Sequence, residues 1–145
     1  MDRLFDHTLM RQRRLRALAR VEPGADFLVR RVAEEMAERL SVVERRFEHP
    51  VQVDGGLPLA ANLMTATGKA ADFKHIGLCA MPGIEASRLD LADPDRVPLE
   101  PSSADLIVSP LVLHVTNDTP GVLVQMRRAL KPDGLLLAAT PGAGT

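Results

Sequence analysis

The sequence predicts a three-layer α/β sandwich: an open parallel sheet of about five strands with helices packed on it, entered through a helical N-terminal segment. Three observations carry this. Apolar residues recur at three- and four-residue steps before Pro50 and in short runs after it. The later runs alternate with helical stretches, which calls for right-handed crossovers and parallel pairing. The stretch ADLIVS, residues 104–109, reads as a strand buried on both faces.

The elements follow in order. Residues 3–20 form a first helix with a patchy apolar side (Leu4, Phe5, Leu9, Leu15, Leu18) and five arginines between 11 and 20; Val21-Glu-Pro-Gly24 breaks it. Residues 26–47 form the clearest helix, because Val29, Val32, Ala33, Met36, Leu40, Val43 and Phe47 fall on one stripe. Asp26 is placed to cap it, and Glu35 precedes Arg39 in the favourable order for an ion pair. Val51–Asp54 is a short strand running into Gly55-Gly56, and the helix over 59–67 is closed by Gly68. Further strands are expected over 73–78 and 85–89, the latter ending at Asp90, with residues 93–103 as a polar loop. After the 104–109 strand, Thr119 caps a helix with Pro120 at its first position. Lys131-Pro-Asp-Gly134 stops that helix, and Leu135–Ala139 is a fifth strand. The reading divides the chain into a helical lid, 1–48, and a core, 49–145, together one domain.

Composition excludes several functions. The net charge of -1 and the 3% aromatic content, with no Trp or Tyr, leave no basic groove with stacking platforms for nucleic acid. No apolar run reaches the roughly 20 residues a bilayer span needs. The single Cys79 forms no internal disulfide, which suits a reducing compartment and makes the cytoplasm the expected location. Charge is uneven: residues 1–46 hold 11 Arg against 8 acids, and residues 47–145 hold 7 basic residues against 11 acids. His7, His49, His75 and His114 share no metal-ligand spacing with one another or with Cys79, so no metal is expected.

In an open parallel sheet, ligands bind beyond the carboxyl ends of the strands. The loop Asp54-Gly55-Gly56 after the first strand is therefore the first candidate site. Its glycines let main chain approach a ligand, and the next helix presents free N–H groups; a plain tight turn is the competing reading. His114, just past the fourth strand, is a candidate base or orienting group, set against an ordinary loop histidine.

The segments RLFDHTLMRQRRLRA and FLVRRVAEEMAERL, the glycine loop, LDLAD, ADLIVSPLVLHVTND and MRRALKPDGLLLAA together resemble a class I S-adenosylmethionine-dependent methyltransferase. The nearest group is the bacterial relatives of the mitochondrial complex I assembly factor 5 methyltransferases, beside the biotin-synthesis malonyl-carrier methyltransferases. The resemblance implies a Rossmann-like sheet, S-adenosylmethionine as cofactor and methyl transfer as the activity. It assigns Asp54, Gly55, Gly56, Asp90 and Leu91 to the cofactor, the last two at the adenine, and lets Ser109, Leu111 and His114 border the reacting methyl. Matching VQVD to the family's first strand puts Gln52 at the early acidic position and Asp54 at the first glycine; a small shift makes Asp54-Gly55-Gly56 the motif instead. The family places an acid at the end of strand two for the ribose hydroxyls, and KHIGLCAMPG has none. The competing reading is a non-catalytic binding or assembly protein on the same scaffold. The sequence names no methyl acceptor. The family's C-terminal hairpin is missing after Ala139, so strand five is expected to expose an edge; three resolutions stand, a truncated product, pairing with a second copy, or a covering partner protein, and self-association is the working hypothesis.

Overall fold

The computed structural model describes residues 3–20, 22–54 and 56–143. Helix α1 spans His7–Ala19 and α2 spans Phe27–Ser41; β1 (Pro50–Val53), α3 (Leu59–Ala66), β2 (Lys74–Gly77), β3 (Leu89–Leu91), β4 (Ala104–Pro110), α4 (Thr119–Ala129) and β5 (Leu130–Ala139) follow. The strands form one sheet in the order β3-β2-β1-β4-β5. Every pairing is parallel. The order reverses between β1 and β4, which puts the topological switch point at the end of β1.

Strand alternation builds the layers. Leu106 and Val108 face α2 and α3, joining Met36, Leu40, Phe47, Met64 and Phe73 in one apolar cluster. Ile107 points the other way, with Val51, Val53 and Ile76, onto Val122 and Met126 of α4. Each side chain of β4 is buried, as its sequence requires. Helix α2 is thus part of a packed layer. Helix α1 buries no residue at all.

Several boundaries move from their sequence-based positions. Helix α2 ends at Ser41 rather than 47, because Phe47 is drawn into extended pairing: its N–H donates to Lys69 O and its carbonyl accepts from Ala71 N, both at 2.8 Å. Asp26 sits at the N-cap but bonds Arg30 instead of the helix amides. The third strand begins at Leu89, since Ala86–Arg88 wind into a single 3₁₀ turn. Asp118, not Thr119, caps α4, accepting from Gly121 N at 3.1 Å. The Lys131–Gly134 turn lies inside β5 as a bulge: Ala104 pairs with Leu130 and Leu106 with Leu135, with Asp133 at φ 64. Gly68 closes α3 at φ 76, as expected.

Candidate functional site

The glycine loop is built around a buried glutamine. Gln52 is fully buried at the end of β1. Its Nε2 donates to the carbonyls of Asp54 (2.8 Å) and Leu57 (3.0 Å), and its Oε1 accepts from Ala61 N at 3.2 Å. An amide satisfies this set because it offers donors and an acceptor together; a carboxylate has no donor for two carbonyls. Asp54 takes φ 54, the left-handed region that glycine tolerates best.

Asp54 is buried, and its Oδ1 accepts from Arg14 Nη1 and from Gly56 N at 3.2 Å. Arg14 reaches down from α1, and a side chain placed on Gly56 would meet its Nε at 3.8 Å. The basic helix is therefore laid across the carboxyl end of β1. Of α3's first free amides, Ala61 N is already used by Gln52. Gly55 lies outside the described residues.

A cavity of about 590 Å³ opens between the N-terminal segment and the ends of β2 and β3, within the size range of small-molecule sites. Leu78, Leu91, Ala92 and Asp93 line it beyond the ends of β2 and β3, and Phe5, His7, Thr8, Arg3 and Arg11 line it from the N-terminal side. Asp93 Oδ1 accepts from Asp95 N at 3.1 Å. Asp95 Oδ1 in turn accepts from the N–H groups of Asn117 (2.7 Å) and Asp118 (2.8 Å). Burial alone would raise the Asp95 carboxyl; the bonds from Asp118 and Asn117, then His7, outweigh it and hold it below its usual value.

The predicted site residues scatter. Leu91 lines the cavity, but its neighbour Asp90 is ion-paired with Lys74 at 2.9 Å and is not among the lining residues. Ser109 is wholly buried at the end of β4, and its Oγ has no hydrogen-bond partner. Leu111, at φ 55, opens onto a second cavity of about 570 Å³ between α2 and β5. His114 is exposed in a 3₁₀ turn over Leu113–Val115. Cys79 is buried beside the loop; burial pushes its thiol up, with Arg14 and Arg11 opposing and Asp54 adding to the shift. His75 is buried with Nδ1 unpartnered, and desolvation followed by the charge of Arg88 lowers it to about 4.

Sequence reasoning missed Asp93, His7, Arg11 and Arg14. His7, Asp93 and Asp95 bring ligand-type atoms within 4.8 Å of one another, although 86 residues or more of chain separate the histidine from the acids. The only signal was the DPD run after β3, read as plain loop. Arg3 and Arg11 line the same cavity, so fixed positive charge already faces these acids.

Residues 58–138 match the family described as methyltransferase domain. The human mitochondrial arginine-hydroxylase NDUFAF5 is 31% identical over an alignment covering 98% of this chain and 43% of that protein. The malonyl-[acyl-carrier protein] O-methyltransferase of Laribacter hongkongensis is 30% identical, with 83% of this chain and 46% of that protein covered. The chain thus spans under half the length of these curated relatives. A crystal structure of an S-adenosylmethionine-dependent methyltransferase from Mesorhizobium loti superposes with a TM-score of 0.58 at 24% identity, covering 72% of this chain and 51% of the other.

Proposed function

The chain belongs to the class I S-adenosylmethionine-dependent methyltransferase family, and we propose on that basis that it binds S-adenosylmethionine in the cavity at the ends of β2 and β3 and supports methyl transfer from it. One observation carries the reading. A cavity of about 590 Å³ lies beyond the carboxyl ends of β2 and β3, under an N-terminal segment that supplies cations.

The residues present fit most of that cofactor. Arg3 and Arg11 line the cavity and suit its carboxylate, Asp93 offers an acceptor for its amino groups, and Leu78 and Leu91 are apolar walls for a base. The cofactor supplies an electrophilic methyl on a sulfonium. The chain's share is to bind and orient it and to keep water out, since positioning accounts for much of the rate of such a transfer. Gln52 holds the glycine loop, and Arg14 holds α1 to it through Asp54. Of the sequence-based assignments, Leu91 stays in this proposal at the cavity wall and Asp54 as the loop's anchor.

The second reading is a binding or assembly protein without catalysis. Its support is specific: β2 ends at Gly77 and runs into Leu78-Cys79 with no carboxylate for a ribose, and the Asp54–Arg14 pair joins the loop to α1. Thermal unfolding with S-adenosylmethionine or S-adenosylhomocysteine separates the two. A ligand at a hundredfold its Kd stabilises by about 2.7 kcal/mol, a visible shift in Tm; no shift at millimolar ligand would favour the scaffold.

No helix among the described residues is long and apolar enough to cross a membrane. The cytoplasm is our proposed location, on the single cysteine. We also propose that the outer edge of β5 pairs with a second copy or a partner protein. The support is a ten-residue outer strand whose Leu135, Leu136 and Leu137 are only half-buried.

A further inference from the structure

Helix α1 is held over the cavity without an apolar face. It buries no residue, and Leu9 and Leu15 are 39% and 47% exposed. Its N-terminal end is held by polar contacts to the loop between β4 and α4. Phe5 N–H donates to Asn117 Oδ1 at 2.9 Å, and Asn117 Nδ2 donates back to Phe5 O at 3.2 Å. One side-chain amide thus reads one residue of main chain in both directions, as a neighbouring strand would. Next to it, His7 Nε2–H donates to Val115 O at 3.0 Å, and His7 Nδ1 lies 3.6 Å from Asp95 Oδ2.

Asn117 does not move freely. Asp95 Oδ2 accepts from its Nδ2 at 3.0 Å, and Asp95 Oδ1 takes its main-chain N–H at 2.7 Å. Asp95 follows Asp93, on the cavity's opposite wall. The fixed side of this arrangement is therefore the loop after β3 joined to the loop before α4, and the attached side is residues 5–7. Phe5 and His7 are themselves cavity walls. Releasing them removes one side of the cavity, and neither residue belongs to the sheet, α2, α3 or α4. Bonds that water can replace, with little apolar burial behind them, open far more often than a packed core does.

We infer that Asn117 is a positioning residue for ligand exchange: its paired bonds to Phe5 hold the 5–7 strap closed along the cavity, and their opening is the step by which the ligand enters and leaves. The inference rests on the cofactor reading of the cavity. It places the gate at a strap more than 100 residues away in sequence from its catch, and it requires no motion of the glycine loop.

Two readouts on the full chain test it. Hydrogen exchange without ligand measures the strap itself. Asn117→Ala is expected to speed exchange of the Phe5 amide and of α1 roughly tenfold or more, with β4 and α4 protected as in the wild type. His7→Ala loosens the strap from its other anchor and is expected to do the same, which keeps the test valid should Asn117→Ala disturb the α4 cap. Stopped-flow dissociation of S-adenosylhomocysteine measures the gate, and both variants are expected to release it roughly tenfold faster. Faster strap exchange with unchanged release would overturn the gate. Unchanged exchange at Phe5 in both variants would overturn the catch. If the wild type binds no S-adenosylhomocysteine, the cofactor reading fails and the gate with it, while the exchange data still report whether Asn117 holds the strap.

Discussion

At the scale of single residues, two buried polar side chains have opposite status. Gln52 has every hydrogen-bonding group matched, and the main chain it holds is the glycine loop. Gln52→Glu keeps the shape but sets a carboxylate against two carbonyls; it is expected to lower unfolding stability by roughly 2–4 kcal/mol at neutral pH, measured by urea titration. A loss of under half a kilocalorie would mean that the loop rearranges at no cost. His75 is the reverse case, a buried imidazole with Nδ1 unmatched and lowered from 6.5 to about 4. The folded protein keeps it neutral while the unfolded chain protonates it. The unfolded state therefore binds more protons between those two values, and stability falls as pH drops from 6.5 to about 4. The loss amounts to about 3 kcal/mol across the window. His75→Leu should flatten the dependence and be the more stable protein at pH about 5; parallel curves for the two proteins would remove His75 as the cause. Ser109→Ala discards a buried hydroxyl with no partner and is expected to leave stability unchanged or raise it by about 1 kcal/mol.

At the scale of elements, α1 and α4 differ in what fixes them. Helix α4 has an apolar face in the core and a true cap: Asp118 accepts from Gly121 N, and a side chain at Gly121 would collide with the Asp118 carboxylate. Asp118→Ala should cost about 1 kcal/mol in thermal unfolding. Helix α1 depends on charge instead. Asp54 is buried to 5% side-chain exposure against Arg14 at 25%. Arg14→Met would strand a buried carboxylate, an expected loss of roughly 2–4 kcal/mol. Arg14→Met with Asp54→Asn should recover a large part of it in a double-mutant cycle, and simple additivity would show that the pair is not coupled.

At the scale of the molecule, β5 is a half-covered flank of the sheet among the described residues. β5 is the outer strand on the α4 side of the order, and α2 and β5 leave the second cavity between them. Self-association through this edge predicts a dimer by sedimentation at high micromolar concentration. Ala138→Lys, placing a charge at an exposed position of β5, should shift the species to monomer. A monomer at that concentration in the wild type would count against edge pairing between copies.

The sequence alone determined the layers and the parallel pairing, because these depend on periodicity and punctuation, each local in the chain, and its resemblance to a family, carried by segments such as RRALKPDGLLL, supplied the rest. It fixed β4 and α4 to within a residue and located the glycine loop at the end of β1. Helix ends were less legible: Phe47 sits on the apolar stripe of α2 yet leaves the helix to pair beside Ala70, a demand made by another part of the chain. Of the predicted site residues, Leu91 lines the cavity and Asp54 is bonded to Arg14 and Gly56 in the loop. Asp90 stands opposite Ile76 in the register, and its carboxylate pairs with Lys74. What only the tertiary structure decided is the wall facing β3, because Phe5 meets Asn117 and His7 meets Val115 through folding across more than two-thirds of the chain, and no local pattern encodes a contact whose partners are that far apart.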